Sequence, residues 1–197
     1  MKDASGIQPV ELAKAYRLLN HGPTVLVSTA AGERRNVMAA AWCMPLDFDP
    51  PKLLVVIDKS TFTRELIEAS GEFAINVPTR VQRDLTVAVG TDSGRGHDKF
   101  DALSIDTFAA DRIRPPLLHG CVAWLECRVV PETHNQSRYD LFIGEVLAAH
   151  ADSRVFSHGR WHFGPDDDDL RTLHHVAGGA FFVTGEAIGN GTDTAAD

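Results

Sequence analysis

Three segments of this chain carry side chains whose types and spacing suit a charged, partly planar small molecule. The first is Lys59-Ser60-Thr61-Phe62-Thr63-Arg64. It stands at the start of a helical pattern, where hydroxyls and unfilled helix amides can converge on a phosphate and Lys59 or Arg64 can neutralise it. The plain alternative is a helix cap followed by surface charges. The second is Asn36-Val37-Met38-Ala39-Ala40-Ala41-Trp42. Its small side chains let a flat ring approach the backbone, whose amides can bond ring carbonyls and nitrogens. Asn36 adds an amide donor or acceptor, and Trp42 can cover a ring or fill a core. An alanine-rich buried strand is the competing reading. The third is Ser93-Gly94-Arg95-Gly96-His97-Asp98-Lys99-Phe100. Its glycines permit a tight wrap, and Arg95 and Lys99 can meet an anion or an electron-rich ring edge. A solvent-facing loop explains it equally well.

Other reactive residues suggest less. His150, His158 and His162 are interspersed with Asp152 and Asp166, at spacings that establish no metal site. Cys121 and Cys127, six positions apart, share a strand face by period, and their apolar setting points to buried thiols. No serine-histidine-acid set is defined, so no catalytic side chain is assigned.

The elements that must position these segments are mostly strands. Pro9 to Asn20 reads as a short amphipathic helix ended by His21-Gly22-Pro23. Thr24–Thr29, Asn36–Trp42, Lys52–Ile57 and Glu72–Val77 read as strands, with a helix over Thr61–Ser70 ended by Gly71. Asp84–Val89 gives a helical turn or two, and the following TDSGRGHDKF reads as a loop. Cys121–Val130 and Tyr139–Ala148 read as long strands joined by a polar turn around PETHNQSR, with Gly144 marking a bend, bulge or close approach. Trp161–Phe163 is a further short strand, Asp166–Asp169 is solvated surface, and Gly189–Asp197 is a frayed end. No strand followed by GxGxxG opens a crossover helix, which argues against a dinucleotide-binding α/β domain. A mostly antiparallel barrel with covering helices fits the order of elements.

Composition narrows the partners. The 197 residues carry a formal net charge of -8 with no basic run, which disfavours nucleic acid and anionic membranes. The opening MKDASGIQPVELAKAYRLL is interrupted by charges and is neither a signal core nor a membrane span. Three cysteines without CxxC favour reduced thiols inside a cell, and cytoplasm is the expected location.

Taken in order, PTVLVST, NVMAAAW, DPPKLLVVIDKSTFTRELI, GEFAINVP, GTDSGRGHDKF, ALSI, PPLLHGCVAWLECRVV, LFIGEV and HHVAGGAFF resemble the flavin reductase-like, FMN-binding split-barrel family, flavoredoxin-like proteins included. The resemblance runs from about Pro23 to Phe182. It implies a mainly β fold, a six-stranded Greek-key split barrel with helical additions, with FMN near the interface of a homodimer. It divides the chain into an N-terminal helical extension (1–22), the FMN-binding domain (23–185) and a flexible tail (186–197).

The same resemblance assigns site residues. Asn36, Val37, Met38, Ala39, Ala40, Ala41 and Trp42 would run beside the isoalloxazine. Ser60, Thr61 and Thr63 would contact the phosphate, supported by Lys59 or Arg64. Asn76 and Val77 would approach the flavin from another strand, and Arg95 and Lys99 would border the site. His174 and His175 lie in the family's C-terminal pattern and are expected to pack or hydrogen-bond near the barrel mouth. The implied activity is hydride transfer from NADH or NADPH to FMN. The alternatives are a flavoredoxin-like electron carrier serving a redox-protein acceptor, and a non-enzymatic flavin-binding or sensing module.

Overall fold

The computed structural model describes residues 6–188; the expected frayed end, 189–197, and residues 1–5 lie outside the described residues. The principal sheet holds eight strands: β1 (Ile7–Pro9), β2 (Val25–Ala31), β3 (Arg34–Ala40), β4 (Cys43–Phe48), β5 (Pro51–Val56), β6 (Glu72–Val77), β9 (Ala123–Val130) and β10 (Leu141–Asp152). Between and after them come the short pairs β7 (Thr107–Phe108) with β8 (Leu117–Leu118), β11 (Phe156–Ser157) with β12 (Arg160–Trp161), and β13 (Leu173–Ala177) with β14 (Ala180–Val183). The helices are α1 (Phe62–Ser70), α2 (Arg83–Thr91), α3 (Lys99–Ala102) and α4 (Thr133–Tyr139).

The main sheet runs β3-β2-β6-β9-β10-β5-β4, with β1 added to β10 and every pairing antiparallel. It carries eight strands where six were expected, and its path ends at β3 and β4 without closing among the described residues. The period of two in the sequence becomes two cores. Val25, Val27, Phe73, Ile75 and Leu125 share one cluster, while Leu26, Ala74 and Trp124, interleaved with them, share the other.

Several sequence expectations change. The helix expected over 9–20 is instead β1 followed by a 3-10 helix over Leu12–Leu18, so part of the presumed extension pairs with β10. The PETHNQSR turn contains α4, which ends at Asp140 in the left-handed region (φ 55°). The expected strand 139–148 begins at Leu141 and runs on to Asp152. β4 was hidden by Pro45 and Asp47, residues that strands disfavour; an edge strand tolerates the missing N–H of proline. HHVAGGAFF is the β13–β14 hairpin, turned by Gly178 and Gly179 at φ 57° and 78°.

Gly144 marks a close approach rather than the bulge. A Cβ there would lie 2.5 Å from Phe73 Cζ, whereas the irregularity of β10 falls between Val146 and Ala148. Cys43, Cys121 and Cys127 are all buried thiols. Burial pushes the Cys43 pKa up to about 12 and raises those of Cys121 and Cys127, which removes all three as thiolate nucleophiles.

Candidate functional site

A groove follows the free edge of β3, beneath α2 and the start of α1. It has a polar lobe of about 230 Å³ and an adjoining apolar lobe of about 340 Å³, which share Gly90 and Thr91. Being an end of the sheet path, β3 leaves backbone groups without a ladder partner. The Val37 carbonyl accepts from Lys99 Nζ at 3.0 Å, so it points away from β2. By the alternation of an antiparallel strand, Ala39 also turns its N–H and C=O to this edge. Gly90 lets α2 come close, since a Cβ there would meet Ala39 Cβ at 3.2 Å.

The polar lobe is built at the N-terminus of α1. Thr61 is the N-cap: its hydroxyl accepts from the Arg64 N–H at 3.3 Å and donates to the Asp58 carbonyl at 2.8 Å. The next amides, of Phe62 and Thr63, lie in the first turn and have no intrahelical acceptor. Ser60 donates its hydroxyl proton to Asp58 Oδ1 at 2.6 Å, and the bonds from Ser60 hold the Asp58 carboxyl below its usual range. Thr63 accepts from Asn36 Nδ2 at 2.8 Å, which leaves its own hydroxyl proton to give. Asn36 Oδ1 is buried without a hydrogen-bond partner among the described residues, under Gly94, where a Cβ would lie 2.1 Å from it.

Lys99 is the second anion-directed feature. It is 2% exposed, and its ammonium donates to the carbonyls of Val37 and Val89 at 3.0 and 2.8 Å. No carboxylate pairs with it among the described residues. Burial draws its pKa down, opposed by the charge of Asp92. Two neutral acceptors on a three-donor cation leave one N–H and most of the charge uncompensated, in a lobe that also receives helix amides. That donor set fits a phosphate.

The apolar lobe is lined by Ala39, Ala40 and Ala41 on one side, and by Thr24, Thr86, Val87, His175, Gly179 and Phe181 around them. His175 meets Phe181 edge-on at 5.3 Å. Small side chains and a free strand edge on one side, with an aromatic ring opposite, fit a flat heteroaromatic group.

The structure therefore brings together Asn36, Met38, Ser60, Thr61, Thr63 and Lys99 in one lobe, and Ala39, Ala40 and Ala41 in the other. Other expected residues stand elsewhere. Val37 and Val77 are fully buried in the two cores, and Val37 contributes only its carbonyl. Asn76 is buried, giving Nδ2 to the Leu26 carbonyl and the Ser28 hydroxyl while accepting from the Leu118 N–H. Arg64 turns away to Glu68 (2.6 Å) and Asp140 (2.7 Å). Arg95 donates to the Ser60 carbonyl at 2.9 Å and pairs with Glu65, tying the loop to the α1 entrance. Lys59 is exposed outside the lining, and Trp42 is 73% exposed just beyond β3.

His174 hydrogen-bonds to the Gly22 carbonyl and Thr172, as expected of a packing residue, whereas His175 lines the apolar lobe. The lining from α2 was missed in the sequence. Its one signal is Thr86 and Gly90, small residues one helical turn apart.

Known proteins resemble this chain in sequence and in fold. The profile of the "Flavin reductase like domain" family matches residues 17–165. The chain is 49% identical to the Escherichia coli protein YddH, itself uncharacterised, over 91% of this chain and 96% of that one. It superposes on the FMN-binding domain of a flavin reductase-like enzyme from Shewanella baltica with a TM-score of 0.87 at 53% identity, covering 93% of this chain and 96% of that one. Flavoredoxin from Methanosarcina acetivorans matches with a TM-score of 0.72 at 26% identity, over 87% of this chain and 89% of that one.

Proposed function

The chain belongs to the flavin reductase-like family, and from that premise we propose that it holds FMN non-covalently in the β3 groove and transfers hydride to it from NADH or NADPH. The observation that carries the cofactor reading is Lys99, a buried ammonium without a carboxylate partner among the described residues, beside the open first turn of α1. Bound FMN supplies two-electron acceptance and one-electron release.

The residues of this chain bind and orient. Lys99 Nζ, the amides of Phe62 and Thr63 and the Thr63 hydroxyl hold the phosphate. The free edge at Ala39 and the small side chains through Ala41 receive the isoalloxazine, with Phe181 and His175 limiting water at its side. The exposed row Trp42, Met44, Leu46 and Phe48 lies on and beside edge strand β4, close to the ring end of the groove in sequence. We assign it to contact with a second copy of the chain, in the split-barrel homodimer that the resemblance implies. No helix of the described residues is long and apolar enough to cross a membrane.

Anaerobic stopped-flow spectroscopy tests the reading. The expected outcome is bleaching of protein-associated FMN on mixing with NADH or NADPH; failure of both to reduce it at a competent rate overturns the reductase assignment. The likeness to flavoredoxin favours a second reading, an electron carrier with retained FMN. Rapid exchange with a redox protein alongside negligible reduction by nicotinamide selects that reading.

A further inference from the structure

We propose that Asp111, Glu126 and His150 form a binding site for one borderline divalent cation, separate from the flavin groove. None of the three lines that groove. Glu126, on β9, is fully buried. Its Oε1 accepts from the Asp111 N–H at 3.0 Å and its Oε2 from the Arg112 N–H at 2.6 Å. No lysine or arginine ion-pairs with it among the described residues; a buried carboxylate in that position needs a positive partner.

The partner at hand is incomplete. His150, on β10, stands two residue pairs along the ladder from Glu126, a diagonal neighbour on the same sheet face. Its Nδ1 is buried with no hydrogen-bond partner among the described residues and lies 3.9 Å from Glu126 Oε1. That gap is too long for a hydrogen bond. It is a little shorter than two metal–ligand bonds of about 2.1 Å laid end to end, so an ion fits between the two atoms with a bent ligand–metal–ligand angle. Asp111 Oδ2 lies 3.2 Å from His150 Nε2, the ring nitrogen that does not face Glu126, so Asp111 joins the ion by turning its exposed carboxylate toward Nδ1; one ligand atom from each of the three residues already falls within 4.8 Å of the others.

The donor set selects the ion. One imidazole with two carboxylates suits zinc and its transition-metal neighbours better than magnesium, which keeps its waters and prefers oxygen. Asp111 is two-thirds exposed, leaving a coordination position open to water. The ion would neutralise Glu126 and clamp residues 111–112 to the sheet. The histidine–aspartate spacings read in the sequence could not show this, because Asp111 and Glu126 join His150 only through strand pairing and a returning loop.

Calorimetric titration of the chelator-treated, flavin-loaded protein with Zn²⁺ tests the site. One Zn²⁺ per chain is expected, with affinity lowered at least about 100-fold in His150→Gln and about tenfold in Asp111→Asn. Magnesium should not compete, and flavin content should be the same in all three proteins. Absence of binding, wild-type affinity in His150→Gln, or equal competition by magnesium overturns the proposal. Should His150→Gln fail to fold, Asp111→Asn decides: its side chain is exposed, and unchanged zinc affinity in that variant overturns the assignment.

Discussion

Two buried cations on either side of the start of α1 differ in what surrounds them. Arg64, 7% exposed, is saturated from within the chain: Glu68 and Asp140 pair with it, the Ile57 and Gln136 carbonyls accept from it, and the Phe142 ring lies 4.9 Å away. Burial opposes its charge, yet the bonds and charges of Glu68 and Asp140 outweigh that and raise its pKa. Lys99, more deeply buried, has two neutral carbonyls and, among the described residues, no paired carboxylate, and its pKa falls. A cation whose neighbours complete its charge fastens elements together. One left incomplete at the wall of a groove is arranged for something that arrives from outside.

Substitution should separate the two. Arg64→Ala is expected to lower unfolding free energy by about 3 kcal/mol, toward the low end for a broken buried pair because Glu68 and Asp140 are partly exposed. Urea denaturation measures this, and FMN affinity of the folded fraction should not change. Lys99→Met should do the reverse, weakening FMN binding about 30-fold, near 2 kcal/mol, with stability unchanged or slightly raised. Fluorescence titration checks it, and a variant that loses stability as Arg64→Ala does would erase the contrast.

A half-buried base, His21, sharpens the comparison by avoiding charge. Burial, then the charge of His174, lowers the His21 pKa to about 4 from an ordinary 6.5. Above pH 6.5 its contribution to stability is fully present. Between 6.5 and 4 the unfolded chain takes up a proton that the folded chain refuses, so stability falls with pH through that window. About 2 kcal/mol should be lost between pH 7 and 4, after allowance for partial exposure. His21→Asn should show a correspondingly shallower decline in urea titrations at the two pH values. The smallest effect is expected of Thr61→Ala. Losing the cap should cost about 1 kcal/mol in thermal or urea unfolding, and FMN affinity should fall less than in Lys99→Met, because the Thr61 hydroxyl already serves Asp58 and Arg64.

Much of the site was legible as local pattern. Ser60 or Thr61 ahead of a helical run predicts a cap, a role the structure gives to Thr61, and Gly71 predicts the end of α1, where it takes φ 70°. The alanines of NVMAAAW mark a strand that something flat can approach. What local pattern could not separate was which charge faces which way. Lys59 and Arg64, beside the turn in sequence, were the expected phosphate cations, and Lys99, in a later loop, was expected only to border the site. Arg64 was claimed by Asp140, 76 residues away, and Lys99 was drawn inward by the Val37 carbonyl, 62 residues away.

By itself, the sequence determined the strand periods, the helix cap, the small residues of β3 and, through the order of its segments, the family. Tertiary structure alone decided that β3 is an edge, that α2 supplies a wall through Thr86 and Gly90, that Asn76 and Val77 are core, and that Glu126 meets His150. The reason is physical. Propensity, capping and side-chain period act over a few residues and are written locally, whereas exposure, counter-charge and free backbone edges depend on which distant strands and loops pack alongside.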